Sequence, residues 1–509
     1  MKITVLNLPG YSADGSAFFI KAGSRWSFEY TPTPRPTDRL LYCPYPFMLS
    51  YTAQLLRAHG HEVLLFDGVA EKLTPDEALR RLVDFAPQLI ITELVTVSYV
   101  EDIAFLNIVK LSLGECTIAV GGPHATALWK ETLASGPVDM VFCGEYELTA
   151  CDVAARISCD AIAGLAWSST EILASGPRQN PRRELVDLAD LPSADRESLR
   201  NELYRDFCFQ EPFAIMMATR GCPMRCDFCI ERHVLYGSGE YRTRPVAQIL
   251  DEMVMLGKKY GVRQVYFDDM TFTVKPLFVN EFCLGMIKRK IKMKWSCMGD
   301  LFSGIRIETL RLMRKAGCVG MKFGLETVDE ALIRSLGKNL KIKEIQKKVG
   351  WLGDLGIFSH GTIMFGLPGD SLESMRKTVE FAQLLDLDSL QYSIATPFPG
   401  TPFYQHAVTN GWIKPVTPAD FTQFSGAGRS VLAYPKVTAE AIESLFHSYQ
   451  SQGSGRAWGG KKRAIAKIIK CLYPLYLLRE LHKLLRVFGC KGTLGFIVSG
   501  IRSVVSHGK

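Results

Sequence analysis

Long apolar runs are missing from this chain. No stretch of its 509 residues comes near the roughly 18 uninterrupted apolar residues that a membrane-crossing helix needs, so none is expected. A basic flank and an apolar signal core are missing too, since the opening "MKITVLNLPG" reads as a strand. The fourteen cysteines lack the dense framing of a small secreted scaffold and scatter over the whole length. That usage points to a reducing, cytoplasmic compartment. With 47% hydrophobic residues the chain is neither disordered nor collagen-like, and its length favours two or three domains. Acid is almost missing near the end: from Arg456 to Lys509, twelve Lys and Arg stand against Glu480 alone. The net charge of +8 therefore belongs to the tail, and the remainder is slightly acidic.

What is present alternates. Residues 1–40 open with a strand, Ile3–Leu8, and continue through the irregular, proline-rich "SFEYTPTPRPTDRLLY". From 41 to 165, "YTAQLLRAHG" is an amphipathic helix stopped by Gly60, "HEVLLFDG" a strand, "PDEALRRLVDF" a helix opened by Pro75, and "PQLIITELV" a buried strand. "CTIAVGGPHAT" and "VDMVFCGEYE" repeat the strand-then-loop pattern. Such alternation with short connections implies a parallel sheet, hence an α/β fold with a doubly wound first domain. Residues 166–210 are polar and turn-rich and read as a linker. Six further strand-to-loop transitions between 211 and 420, from "FAIMMATRG" to "SLQYSIATPFPGTP", fit a partial (β/α)6 barrel with its site at the strand ends. The rest, 421–509, reads as a helical and increasingly basic C-terminal region.

The chemistry concentrates in "TRGCPMRCDFC", where Cys222, Cys226 and Cys229 follow the first barrel strand. Three thiols at this spacing suit an iron–sulfur cluster with one iron left open. A zinc site needs a fourth ligand, and His233, four residues beyond Cys229, would complete Cys3His. Three inert buried thiols are the remaining reading. Asp268 and Asp269 in "FDDMTF" sit at a strand end, where they would bind a cation, move a proton, or simply hydrogen-bond the loop. Arg242 and Arg244 in "YRTRP" would bind a carboxylate or phosphate, or pair with acids of the protein.

The Cys-x-x-x-Cys-x-x-Cys signature resembles that of the radical S-adenosylmethionine (SAM) superfamily, and the loops over 211–410 agree with that family in order and spacing. The resemblance implies that Cys222, Cys226 and Cys229 ligate a [4Fe-4S] cluster whose fourth iron chelates SAM, and that one electron cleaves SAM to a 5′-deoxyadenosyl radical. It implies that Phe228 packs near adenine and that Glu326 in "KFGLET" contacts ribose. "GTIMFGLPGD", with Gly366 and Pro368, is similar to the fifth-strand motif that supports the cofactor, and "PFPGTP" to the loop after the sixth strand.

The first domain offers "TELVTVSYVED", "GGPHAT" with Gly121 and Gly122, and "CGEYE" with Gly144 at its strand ends. Over 41–165 this resembles the cobalamin-binding domain that precedes the barrel in the B12-dependent radical SAM group. The Asp-x-His-x-x-Gly motif that supplies a cobalt-ligating histidine elsewhere is absent, which implies base-off cobalamin without a histidine ligand, or a domain that binds none. His124 reads as a structural histidine beside a glycine turn. The resemblance fits the division already read along the chain: 1–165, linker 166–210, barrel 211–420 and tail 421–509. It also implies methylation of an unactivated carbon of a metabolite or lipid-linked substrate through methylcobalamin, with a second SAM remethylating cobalt. The same group includes cyclases and rearrangement enzymes.

Two other readings are weighed. A methylthiotransferase would carry three clustered cysteines in its first domain, whereas Cys43, Cys116, Cys143, Cys151 and Cys159 fall in different elements. A binding-only sensor would not need the intact cysteine motif. The tail, "KKRAIAKIIKCLYPLYLLRELHKLLRVFGC", mixes cations with apolar residues at helical spacing; it reads as a helix on an anionic membrane surface or as a cap on the barrel. No RNA-binding module accompanies it, so nucleic acid is not expected. A reductase or electron donor such as flavodoxin or ferredoxin is implied.

Overall fold

In the computed structural model, which describes residues 1–21, 27–168, 176–301, 304–335, 341–413 and 417–450, the apolar run before Val95 becomes a strand with all five residues, Leu89–Glu93, buried. A strand covered on both faces belongs inside a parallel sheet. It does so here in a seven-stranded sheet of β1 (Lys2–Asn7), β2 (Glu62–Asp67), β3 (Leu89–Glu93), β4 (Thr117–Gly121), β5 (Met140–Phe142), β6 (Leu165–Trp167) and β7 (Arg178–Gln179). The order is β2-β1-β3-β4-β5-β6-β7. The first five strands are parallel, with registers such as Ile3↔Val63 and Ile3↔Leu89, and the last two antiparallel, with Met140↔Trp167. Winding reverses at β1/β3, so the ligand crevice of such a sheet lies outside the carboxyl ends of those strands.

Helices α1 (Phe47–Ala58), α2 (Pro75–Phe85), α3 (Tyr99–Leu113), α4 (Gly122–Ala127), α5 (Trp129–Leu133) and α6 (Glu147–Ala154) accompany this sheet. The start of α2 is encoded locally: Thr74 caps the Glu77 amide, Glu77 caps Thr74 in return, and Pro75 occupies the first turn. The compact unit comprises Met1–Asp206, Cys226–Arg242 and Thr396–Leu432. Its core includes Leu6, Ile90, Ile118, Leu82 and Leu106, and also Phe421 and Phe424 from the third segment.

Residues 166–210 are not the linker that their composition suggests. They supply β7 and part of β6, and bury Val186, Leu188, Leu191, Leu199 and Tyr204. Asp195 ties the stretch to α1: its carboxylate pairs with Arg57, and its amide donates to Ser50 Oγ at 2.7 Å. The apolar anchors are spaced by turn residues, which hides them from a periodicity reading.

The second unit, which among the described residues comprises Phe207–Arg225, Thr243–Ala395 and 433–450, holds six parallel strands in sequential order. They are β8 (Phe213–Met216), β9 (Gln264–Phe267), β10 (Lys294–Met298), β11 (Cys318–Glu326), β12 (Phe358–Phe365) and β13 (Ser389–Ile394). Helices α7 (Val246–Tyr260), α8 (Pro276–Lys288), α9 (Ile307–Lys315), α10 (Glu330–Ser335), α11 (Ile342–Leu355) and α12 (Leu372–Leu384) connect them, as the six expected transitions require. Thereafter α13 (Pro402–Thr409) belongs to the first unit and α14 (Ala439–Gln450) to the second. Phe267, Phe272, Phe282 and Trp295 pack with centroids 4.8–6.0 Å apart between strands and helices. Each such side chain contributes about 1.5–3 kcal/mol by burial.

The N-terminal end of the second sheet is plugged by its own chain. Phe207 packs edge-on against Phe209 at 4.9 Å and against Tyr266 and Phe358. A side chain on Gly320 would meet both phenylalanine rings at 2.8 Å, so that strand position needs glycine. Chemistry is left to the carboxyl ends. Among the described residues no helix is long and apolar enough to cross a membrane. The expectations for 456–509 lie outside the described residues.

Candidate functional site

The cysteine loop begins where β8 ends, and buried groups fix that exit. Asp269 Oδ1 accepts the amides of Ala218 and Thr219 at 2.8 and 3.1 Å. Arg244 donates to the Met217 carbonyl at 3.0 Å and pairs with Glu252 at 2.7 Å. Of the readings open for these residues, loop bonding for Asp269 and pairing with the barrel's own acid for Arg244 are those observed. Arg242 instead pairs within the first unit, bidentate to Glu145 at 2.9 and 2.7 Å.

Cys226 is buried, while Cys222 and Cys229 are partly exposed. The amide of Cys229 donates to the Cys226 carbonyl at 3.0 Å, closing a tight turn. The zinc alternative turns on His233. His233 directs Nε2 to the Cys226 carbonyl at 3.1 Å, and since a carbonyl only accepts, that nitrogen carries its proton. Burial lowers the ring's pKa. Among the described residues no group of three or more His, Cys, Asp or Glu is gathered as a metal-ligand set. The cluster reading rests on donor chemistry: three soft thiols on one loop at the end of a barrel strand.

The predicted site residues fall at the carboxyl ends of both sheets. In the second unit Glu326 closes β11 with φ +60°, beside a register shift between Gly324 and Glu326. A non-glycine residue held in this region signals stored strain, which gathers at ligand sites. Gly366 and Pro368 form the turn after β12, and Gly366 has φ +77°. Asp370, the last residue of the "GTIMFGLPGD" motif, pins that turn: it accepts the Leu367 amide at 3.0 Å and the Ser374 hydroxyl at 2.7 Å. Burial pushes its pKa up to about 6. Phe228 and the thiols Cys226 and Cys229 sort with the first unit, Cys222 with the second.

In the first unit Gly121, Gly122 and Gly144 stand at the ends of β4 and β5. The space beside them is used by the protein itself. A Cβ on Gly121 would meet the Tyr146 ring at 2.8 Å, and one on Gly144 the Arg182 guanidinium at 2.8 Å. Tyr146 in turn donates to Glu93 at 3.0 Å.

The switch-point crevice carries a buried polar set that sequence reasoning missed. Asn7 donates to Asp67 at 2.9 Å, Tyr204 donates to its other oxygen at 3.1 Å, and the amides of Val69 and Ala70 complete the shell. Burial raises Asp67 to about 6 against these bonds. Lys21 and Asp102 form a buried ion pair, which Ser98 joins at 2.7 Å. An aspartate directly before a glycine at a strand end, "FDG", was the available signal. His124 is buried between Tyr99 and Phe421 at 4.3 and 4.8 Å. It meets Thr96 Oγ1 at 3.2 Å through Nδ1, and burial lowers its pKa to about 3, which keeps it neutral.

A cavity of about 530 Å³ within this unit is lined by Thr126, Cys143, Gln179, Asn180, Arg182 and His233, among others. The early cysteines form no ligand set. Burial raises the pKa of Cys43, Cys116, Cys143, Cys151 and Cys159, to about 11 for Cys116 and Cys151, so they stay thiols.

Comparison with known proteins agrees with both geometries. The model of the radical SAM superfamily matches residues 216–382, and that of the B12 binding domain matches 37–154. An uncharacterised methyltransferase of Pyrococcus horikoshii is 25% identical over 79% of this chain and 85% of its own. The anaerobic magnesium-protoporphyrin IX monomethyl ester cyclase of Rubrivivax gelatinosus is 25% identical over 71% of this chain and 66% of its own. The solved structure of the radical SAM methyltransferase TsrM from Kitasatospora setae superposes with a TM-score of 0.64 at 17% identity, covering 82% of this chain and 77% of that one. At that identity it speaks for the fold.

Proposed function

We propose, for a chain that belongs to the radical SAM proteins carrying a B12-binding domain, that it methylates an unactivated carbon of a small molecule. The observation that carries this reading is the pairing, in one chain, of a three-thiol loop at a barrel strand end with a sheet wound in the 2-1-3-4-5 order around a carboxyl-end crevice. The cofactors are a [4Fe-4S] cluster, SAM and cobalamin. When bound they supply hydrogen abstraction and the methyl group. The protein's own share is positional. Cys222, Cys226 and Cys229 would hold the cluster, Asp269 and Arg244 fix the exit of β8, Asp370 holds the Gly366–Pro368 turn, and the Phe207 plug keeps water out from the N-terminal end. Glu326, with its strained backbone, would contact the ribose of SAM, and Phe228 would pack near its adenine.

The test is anaerobic reconstitution with iron, sulfide and hydroxocobalamin, followed by metal analysis and by counting the products of SAM. S-adenosylhomocysteine formed together with 5′-deoxyadenosine supports methyl transfer. 5′-Deoxyadenosine alone supports the second reading, a cyclisation or rearrangement, which the Rubrivivax cyclase match favours. Absence of both products sinks the enzyme reading.

A low-potential donor of the flavodoxin or ferredoxin class would supply the electron in a cytoplasmic setting. The twelve cations between Arg456 and Lys509 would bring the chain to an anionic membrane surface, and a lipid-linked substrate would then be within reach. Failure of the full chain to cosediment with phosphatidylglycerol vesicles at low salt would end that part of the proposal.

A further inference from the structure

The chain enters the first unit between Arg225 and Cys226, inside the cysteine motif, and leaves it after Arg242. The short segment 226–242 thus carries two of the three thiols as part of the B12-binding unit. Charged groups with little solvent around them hold it there. Arg242, 10% exposed, makes its fork to Glu145, 4% exposed, and also donates to the Val186 carbonyl at 2.6 Å. Glu145 Oε2 additionally accepts the Val186 amide at 3.1 Å. At the segment's middle Arg182 donates to the carbonyls of Val234, at 2.5 Å, and Leu235. Near its start the Asp227 carbonyl accepts the Phe403 amide at 3.3 Å.

Glu145 follows Gly144 directly, in the loop at the end of β5 that the resemblance to a cobalamin-binding domain would place against cobalamin. One carboxylate therefore joins the cobalamin loop to the thiol segment through two parallel hydrogen bonds. A bidentate fork transmits orientation as well as attraction, because neither partner can rotate without losing a bond.

We propose that Glu145 and Arg242 are positioning residues that set the placement of Cys226 and Cys229 from the cobalamin loop, so that cobalamin binding and the cluster are energetically coupled. The inference rests on the reading that Cys222, Cys226 and Cys229 hold the cluster. Coupling of this kind is reciprocal: what cobalamin does to the cluster, the cluster does to cobalamin affinity.

The test uses the full chain, reconstituted anaerobically with iron and sulfide. Iron per chain and the EPR spectrum of the reduced protein are recorded with and without hydroxocobalamin. The samples are wild type, Glu145→Gln, Arg242→Lys and the triple Cys222→Ala/Cys226→Ala/Cys229→Ala variant. Wild type is expected to change its EPR line shape on adding hydroxocobalamin. Arg242→Lys, which keeps the charge but loses the fork, is expected to retain iron while losing that response. Glu145→Gln is expected to lose roughly half its iron or more, since it leaves a buried guanidinium without its counter-charge. An unchanged wild-type spectrum overturns the proposal without any variant. So does an Arg242→Lys protein that responds as wild type does. If the triple variant keeps its iron, the cluster reading itself fails. If the triple variant loses iron while Glu145→Gln and Arg242→Lys keep theirs and respond as wild type does, the cluster reading stands and the coupling falls.

Discussion

Asp370 holds its turn at an electrostatic cost. Its carboxyl accepts two hydrogen bonds that favour the charged form, yet burial outweighs them and raises its pKa from the ordinary 3.8 to about 6. A folded-state pKa above the unfolded one means that the folded chain binds the proton more tightly. The resulting stabilisation is fully present below about pH 4 and is lost as pH rises through about 6. For a shift of this size it reaches about 3 kcal/mol at low pH, of which roughly 1 kcal/mol develops between pH 7.5 and 5.5, about one degree in melting temperature for a chain of this length. Acidifying from pH 7.5 to 5.5 is therefore expected to raise the melting temperature of wild type more than that of Asp370→Asn, as followed by circular dichroism. Asp67 shifts in the same direction but is common to both proteins, so it cancels. Equal responses in the two proteins would contradict the assignment. The contrast with the cysteines explains what was legible at this scale. Cys222, Cys226 and Cys229 are recognisable because their chemistry is written in local spacing. Asp67, Glu145 and Asp370 are single carboxylates whose roles depend on which amides, hydroxyls and guanidinium the fold brings to them.

Elements with their own periodicity were legible for the same local reason. The six strand-to-loop transitions of the barrel stand where the sequence placed them, and α2 carries its capping box in "TPDE". The segment 166–210 was not legible, because its contribution is made across the sheet edge and against α1. Its anchor is Asp195, 2% exposed, which pairs with Arg57 and accepts the amides of Glu197 and Ser198 at 3.0 and 2.9 Å. Removing Asp195 leaves Arg57, 31% exposed, to solvent and its other bonds, but takes the acceptor from the amides of Glu197 and Ser198, at a cost of about 2 kcal/mol. Asp195→Ala is expected to lower the urea midpoint of the full chain accordingly and to open 176–206 to limited proteolysis. Asp195→Asn, which can still accept a bond, is expected to lose less. If residues 176–206 resist protease equally in all three proteins, the stretch is held by its apolar anchors alone.

At the scale of the whole molecule the chain does not divide where its composition does. A reader of the sequence cuts it into consecutive blocks, at 165, 210 and 420. The compact units instead interleave, the first taking 226–242 and 396–432 out of the middle of what reads as barrel. Phe421 and Phe424 show why: both are buried in the core of the first unit, 6% and 1% exposed. No periodicity reveals a partner 300 residues away in sequence, because the apolar face it completes belongs to another element. A fragment spanning 207–450 would keep the barrel strands but strip these aromatics and Arg242 of the surfaces that cover them. Exposed apolar patches of that kind promote association, and the segment that Arg242 anchors loses its fork. The fragment is therefore expected to bind a hydrophobic dye, to aggregate, and to melt without a cooperative transition, whereas the full chain melts cooperatively. The functional corollary concerns the cluster. If two of its thiols are placed by the first unit, the fragment should also load iron poorly even where it stays in solution. A fragment that remains monomeric, melts cooperatively and takes up iron to the level of the full chain would establish that the barrel folds and builds its cluster site alone, and that the interleaved segments serve only to dock it.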